Sequence, residues 1–318
     1  MAYGLTPYSP LGLACVIGLT LVSGCTGAPQ AGASFAPGSA GQPMRSVPNV
    51  RTDPAKYLGA RELYVVDTDS GSIKILKNKS YAELGQITSG IFNPTSVFLD
   101  KHGNLYVANS TAPNVTEYPP NGTTPSFTYS DQLMEALVVT ADSHDNVFVV
   151  DDASKEVWQY FQGSNTVAAE CSPSGTSQMS GIAVDSKNDV FVSFDNGELI
   201  EYPGGLSGCN ETVLGASLSA AFGMTVDKQG DLVVCDLAAG AVDVIAPPYS
   251  SVTRTFGSGL VEPVNVTLNQ TNRLAFVVDY DKDVQVYDYQ TGTLLTTLGT
   301  VYGLVSPLSA VDGPNAVY

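Results

Sequence analysis

A short β-branched and aromatic run recurs six times in this 318-residue chain, and its regular spacing constrains the fold more than any other feature. Its second positions (Leu63, Leu105, Val147, Val190, Leu232 and Leu274) follow one another at intervals of 42, 42, 43, 42 and 42 residues. The segment 180–203, SGIAVDSKNDVFVSFDNGELIEYP, shows the unit: three strands separated by the polar turns SKND and DNG. A unit this small cannot bury both of its faces, so it must stack against further copies.

A second run precedes every recurring strand except the first, and its copies, including one after the last unit, end at Asp100, Asp142, Asp185, Asp227, Asn269 and Asp312. With a third strand and a more variable outer one, each unit contains four strands, which is typical of a β-propeller blade. The last run, PLSAVD (307–312), has no complete unit after it, and the first central strand has no partner before it. We therefore predict an all-β, six-bladed propeller closed by the C-terminal strand joining the first blade.

The paired runs SGIAVD with DVFVSF, and SVFLD followed by HGNLYVAN, resemble the repeats of NHL propellers over residues 61–318. The chain is more distantly similar to gluconolactonase-like six-bladed enzymes. The resemblance implies the fold and says little about the activity, because one fold carries many functions.

The N-terminal region predicts export. Leu11 to Val22 is an uncharged apolar run, too short to span a bilayer and long enough for a signal peptide. The sequence Val-Ser-Gly-Cys that ends at Cys25 resembles a bacterial lipobox, with Cys25 as the lipidated residue, although no Lys or Arg precedes Arg45. An ordinary cleaved signal or a wrongly assigned start is the alternative. We predict a lipoprotein-type signal peptide at 1–24, a flexible Gly- and Pro-rich tether at 25–60 and the propeller at 61–318.

The charge balance excludes one class of partner. The chain has 14 Lys and Arg against 31 Asp and Glu, a net charge of -17. Such a surface repels nucleic-acid phosphates, and no basic stripe interrupts it. Contact with a membrane is expected through the lipid anchor only.

Residues for general-base catalysis are scarce. The two histidines, His102 and His144, occupy the same turn of their repeats, predicted to lie opposite the usual ligand mouth. The acids that recur at strand ends are interpreted mainly as turn caps, because Asp accepts hydrogen bonds from backbone amides two residues on.

Carboxylates at the predicted mouth are the stronger site candidates. Glu135, Glu262 and Asn93 each precede an inner strand, and hard oxygen ligands from separate blades suit Ca²⁺ or Mg²⁺, as the gluconolactonase resemblance also implies. Candidate binding residues at the same mouth are Asp151, Asp152, Asp279 and Asp281, which form an acidic rim or are ordinary solubility charges.

The chain has five cysteines, at positions 15, 25, 171, 209 and 235. Cys171 and Cys209 fall in the outer regions of adjacent repeats, where export permits a disulfide. Cys235 lies in a central strand and is expected to be a buried apolar residue.

Two functions remain open at this point. The first is a non-catalytic, envelope-anchored module that binds a protein, peptide or glycan at the mouth and needs no cofactor. The second is a hydrolase of the lactonase type that depends on a divalent metal held by Glu135, Glu262 and Asn93.

Overall fold

A computed structural model describes residues 62–313, and these form six four-stranded antiparallel sheets arranged as the blades of a propeller. The prediction of an all-β, six-bladed ring is confirmed. Blade 1 comprises β24 (Pro307–Asp312), β1 (Glu62–Asp67), β2 (Ser72–Lys77) and β3 (Glu83–Ile87). Blades 2 to 6 each contain four consecutive strands. The predicted signal peptide, Cys25 and the predicted tether lie outside the described residues.

The strands of these five blades, in chain order, have the following bounds. Blade 2 contains β4 (Pro94–Leu99), β5 (Leu105–Asn109), β6 (Asn114–Tyr118) and β7 (Phe127–Tyr129). Blade 3 contains β8 (Ala136–Ala141), β9 (Val147–Asp151), β10 (Glu156–Tyr160) and β11 (Val167–Cys171). Blade 4 contains β12 (Met179–Val184), β13 (Val190–Phe194), β14 (Leu199–Tyr202) and β15 (Thr212–Val213). Blade 5 contains β16 (Ala221–Val226), β17 (Leu232–Asp236), β18 (Ala241–Ile245) and β19 (Arg254–Phe256). Blade 6 contains β20 (Pro263–Leu268), β21 (Leu274–Asp279), β22 (Asp283–Asp288) and β23 (Thr293–Leu298).

The described residues include two short 3-10 helices between strands, Ser207–Cys209 and Thr300–Tyr302. Within residues 62–313 no helix has the length and apolarity that crossing a membrane requires.

The ring is closed by β24, which pairs antiparallel with β1, as the sequence predicts. At one end of this pair the Gly313 amide donates to the Glu62 carbonyl at 3.0 Å. At the other end the Thr68 amide donates to the Ser306 carbonyl at 3.0 Å. The described chain therefore enters and leaves the propeller at the same face, where β1 begins and β24 ends.

The inner strands approach each other closely around the central channel, which explains the glycines of the repeats. A Cβ added at Gly181 would lie 2.7 Å from the Phe222 carbonyl oxygen, and one at Gly223 would lie 2.6 Å from that of Val264. Elsewhere hydroxyl groups bridge the blades: Ser309 Oγ accepts from the Val97 amide at 3.3 Å. Buried apolar side chains from neighbouring sheets fill the space between blades. Each blade is thus stabilised by its neighbours, as the small size of the repeat requires.

A disulfide joins Cys171 to Cys209, with a Cα–Cα distance of 5.5 Å. Cys171 ends the outer strand of blade 3, and Cys209 ends the 3-10 helix of blade 4, so the bond links two blades near the perimeter. Cys235 is a free, fully buried thiol in β17, and its burial raises its pKa. The structure thus contains the disulfide that the sequence permits but does not require.

Candidate functional site

One face of the propeller carries all seven residues that the sequence singles out at the mouth. The loops entering the inner strands and the turns after the second strands share this face, because Ala136 pairs with Asp151 and Pro263 with Asp279. We call this face the mouth face. The end of the propeller where Glu62 and Gly313 meet is called the opposite face.

Each loop that enters an inner strand at the mouth face is held by a side chain from the same blade. Asp151 Oδ2 accepts from the amides of Met134 and Glu135, and its Oδ1 accepts from those of Ala153 and Ser154 at 3.1 and 3.0 Å. The residues that end the second strands of blades 1, 2, 5 and 6 accept from the corresponding loop amides, and in blade 4 the residue one position after the strand does so. We call the six the anchoring residues: Asp67, Asn109, Asp151, Asp195, Asp236 and Asp279. Charge-assisted bonds to backbone amides are among the stronger hydrogen bonds in proteins. The backbone of the mouth face is therefore fixed.

Asp151 and Asp279, two of the predicted binding residues, are fully buried anchoring residues. Asp279 Oδ1 accepts from the Val261 amide at 2.9 Å and the Glu262 amide at 2.6 Å, and Oδ2 accepts from Lys282 Nζ at 2.9 Å. The oxygens of both carboxylates are occupied by bonds within the protein. These two carboxylates hold the loops of the mouth face, and the exposed residues beside them form its surface.

Glu135 and Asp152 lie together at the edge between blades 3 and 4. Asp152 accepts from Gln178 Nε2 at 2.9 Å and from Lys155 Nζ at 2.6 Å, while its amide donates to the Glu135 carbonyl at 3.3 Å. Burial raises the pKa of Glu135, and the charges of Asp152 and Asp151 raise it further, against the lowering effect of Lys155. This half-buried carboxyl holds its proton more tightly than an exposed glutamate does.

Glu262 and Asp281 lie at the edge between blades 6 and 1, and both are exposed. Burial raises the pKa of Tyr280, and the charges of Asp281, Asp69 and Glu262 raise it further in that order. Carboxylates from two blades therefore lie near enough to act on one tyrosine, and this edge of the mouth face is acidic.

The three predicted metal ligands lie on separate blades. Asn93 is in blade 2, where its Nδ2 donates to Ser110 Oγ at 2.7 Å and its backbone is left-handed with φ 54°. Glu135 is in the adjacent blade 3, while Glu262 is in blade 6, across the ring from blade 3. Among residues 62–313, no three His, Cys, Asp or Glu side chains are grouped to hold a metal ion.

The opposite face carries both histidines. His102 Nε2 lies 3.3 Å from Asp145 Oδ2 of the next blade, and His144 Nδ1 lies 3.2 Å from Asn188 Oδ1 of the blade after that. The acids that end the inner strands cap the same turns: Asp142 Oδ1 accepts from the amides of His144 and Asn146, both at 2.8 Å. These residues link and cap turns of the fold.

The sequence did not single out a set of exposed apolar side chains at the mouth face. Each lies two residues before an inner strand, and they are Phe92, Met134, Val261 and Val305. The available signal was positional, since these residues align when the repeats are superposed on their inner strands. In these four blades the side chain lies at a loop tip, separated by one residue from the start of the inner strand, and is exposed. A large apolar side chain at such a position can mark a site of association.

The central channel contains a cavity of about 70 Å³ lined by the inner strands of blades 2 to 6. Its polar lining includes Thr140, Thr225, Asn265 and Thr267. Thr267 Oγ1 and Asn265 Oδ1 bond the backbone of Ala310 in blade 1, at 3.0 and 3.2 Å. Part of this lining therefore serves to join the blades.

Comparisons with known proteins show the fold alone. No protein-family model matches the chain, and no curated protein matches its sequence. A chain in a solved structure of a nidogen/laminin complex is similar with a TM-score of 0.66 and 16% identity, over 80% of this chain and 100% of that one. A protein of unknown function from Bacteroides caccae is similar with a TM-score of 0.60 and 12% identity, over 80% and 99% of the two chains. The NHL and gluconolactonase resemblances stay predictions.

Proposed function

We propose that this protein is an exported, envelope-anchored binding module that holds a protein, peptide or glycan at its mouth face. The observation that carries the proposal is the set of six anchoring residues. They fix the loop backbones from within each blade, so the side chains at the loop tips are free to differ without cost to the fold. A rigid backbone that presents variable side chains lowers the entropy lost on binding.

The described part of the chain begins and ends on the opposite face, where Glu62 and Gly313 meet, so neither end of it covers the mouth face. In this proposal Cys25 carries the lipid anchor. The disulfide between Cys171 and Cys209 agrees with an oxidising compartment. The similar propeller solved in a nidogen/laminin complex is a further reason to expect a protein partner.

The test is capture from an envelope extract by immobilised protein. Glu135, Glu262 and Asp281 are replaced together by Ala, because their side chains make no hydrogen bond to the described part of the chain. The matched control replaces Lys187 and Gln229 by Ala, because both are exposed in turns of the opposite face and no side-chain hydrogen bond to the described residues is lost. We expect a saturable partner that the wild type and the control capture and the mouth variant does not. Equal capture by all three proteins would refute a binding role for the mouth face.

A metal-dependent hydrolase is the second candidate, and Glu135 is the observation in its favour. Burial and the charges of Asp152 and Asp151 raise the pKa of Glu135, and carboxyl groups perturbed in this way are concentrated at functional sites. In this alternative Glu135, Glu262 and Asn93 would provide oxygen ligands for Ca²⁺ or Mg²⁺. Calcium-dependent hydrolysis of simple lactones, lost in Glu135→Gln, would favour it over the binding module.

A further inference from the structure

Four of the six blades present a large apolar side chain at the same exposed position of the mouth face. Their exposed fractions are 64% for Val261, 53% for Val305, 51% for Phe92 and 62% for Met134. They belong to blades 6, 1, 2 and 3, whose inner strands β20, β24, β4 and β8 are successive neighbours around the channel. We call these four residues the apolar arc. The remaining two blades have Ser177 and Ser219 at this position.

The fold does not need these four side chains. The backbone amide of each residue is bonded to an anchoring residue of its blade, whatever side chain it carries. Single exposed apolar residues are common on protein surfaces, and here the same position is apolar in four blades. Four adjacent blades have an apolar side chain at this position and the other two have serine, so one side of the mouth face is apolar.

The apolar arc is bordered by negative charge in two places. At the edge between blades 6 and 1, beside Val261 and Val305, lie Glu262, Asp281 and Asp69. At the blade 3 end lie Glu135 and Asp152. The lysines of these two places, Lys282 and Lys155, are bonded to Asp279 and Asp152 at 2.9 and 2.6 Å. Asp152 is therefore neutralised by Lys155, while no described lysine or arginine is ion-paired with Glu135, Glu262, Asp281 or Asp69, so a partner that covers the arc meets these four carboxylates.

We infer that the apolar arc binds a segment of a partner protein in which apolar side chains alternate with lysine or arginine. This inference rests on the proposed binding function and specifies its partner. Adjacent blades pack as stacked sheets about 10 Å apart, so three steps span roughly 30 Å at most. An extended segment of about nine residues covers that length.

Charge disfavours the other occupants. A second copy of the chain carries the same net charge of -17 and the same acidic borders, so face-to-face pairing brings like charges together. An anionic bilayer surface is repelled for the same reason. A segment that carries both basic and apolar side chains complements the apolar arc and its acidic borders.

The experiment measures the binding of three fluorescein-labelled peptides of about twelve residues by anisotropy. The first has leucine and phenylalanine alternating with lysine, the second has glutamate in place of lysine, and the third has serine in place of the apolar residues. The arc variant combines Phe92→Ser, Met134→Ser, Val261→Ser and Val305→Ser. The matched control is Phe161→Ser, because Phe161 is 59% exposed and follows β10 on the opposite face.

We expect the lysine peptide to bind the wild type and Phe161→Ser with the same Kd, and the arc variant at least about tenfold more weakly, the loss expected for one large apolar side chain. The glutamate and serine peptides should each bind the wild type at least about tenfold more weakly than the lysine peptide. Equal binding of the three peptides, or equal binding to the wild type and the arc variant, overturns the inference.

Two further outcomes also overturn it. The first is no binding of the lysine peptide to the wild type. The second is sedimentation of the wild type as a dimer and of the arc variant as a monomer, which would make the arc a self-association surface. Circular dichroism melts of the arc variant check that it is folded. If envelope capture depends on the acidic mouth residues but is unchanged in the arc variant, the proposed function stands and this inference fails.

Discussion

Replacement of Asp151 by asparagine tests whether the anchoring residues hold the mouth face. Asp151 is fully buried, and its two oxygens accept four backbone hydrogen bonds. Asparagine keeps one oxygen and presents an NH₂ group to two of the four amides, which then lack an acceptor. Each buried donor without a partner costs about 1–3 kcal/mol, so we expect the free energy of unfolding to fall by about 2–6 kcal/mol. In a domain of this size that corresponds to a melting temperature lower by roughly 4–24 °C.

The chain provides its own counterpart in Asn109, the anchoring residue of blade 2. Its Oδ1 accepts from the Phe92 amide at 2.8 Å, while its Nδ2 donates to Asn114 Oδ1 at 2.9 Å and to the Gly90 carbonyl at 3.3 Å. Asn109→Asp should therefore destabilise blade 2 for the opposite reason, because a carboxylate would face two acceptors. The control is the exposed Asp281→Asn, expected within about 0.5 kcal/mol of the wild type. Urea unfolding measures all three, and a loss below about 0.5 kcal/mol for Asp151→Asn would refute the reasoning.

Three further predictions concern other parts of the molecule. Burial is the largest cause of the raised pKa of Glu117, so the folded protein loses stability as pH rises from about 4.3 towards this raised pKa. Over that interval the free energy of unfolding of Glu117→Gln should increase relative to that of the wild type, and a pH-independent difference between the two would contradict this. Replacing Cys171 and Cys209 by Ser should lower the free energy of unfolding by about 2–4 kcal/mol, while Cys235 should resist maleimide in the native protein; rapid native labelling of Cys235 would show that β17 is not enclosed. For the binding module we expect the melting temperature in millimolar Ca²⁺ to equal that in chelator, whereas a rise that disappears in Glu262→Ala would favour the metal-dependent hydrolase.

The architecture could be predicted from the sequence because it follows from local and periodic signals. The 42-residue spacing fixes the number of blades, and the unpaired runs at 62–67 and 307–312 indicate how the ring closes. The caps of the turns were also accessible, since an acid such as Asp142 bonds amides two and four residues ahead. Each of these inferences uses residues that are close in sequence or recur at a nearly constant spacing.

The mouth face was harder to predict because its contacts join residues distant in sequence. The anchoring role of Asp151 depends on amides 16 and 17 residues upstream, and that of Asp67 on an amide 238 residues away. The repeat of acids at the ends of second strands suggested turn caps, and their bonds to the preceding loops became visible only in three dimensions. The apolar arc was missed for a related reason: Phe92 and Val305 are distant in sequence and become neighbours only when the ring closes.

The central claim is that the mouth face binds the partner, and site-specific photo-crosslinking in the cell envelope tests it most directly. A photoreactive phenylalanine analogue is placed at Met134 on the mouth face and, in a separate protein, at Phe161 on the opposite face; both side chains are about equally exposed, at 62% and 59%. The account predicts a discrete crosslinked adduct from position 134 and none from position 161. An adduct from position 161 alone, or the same adduct from both, would contradict it.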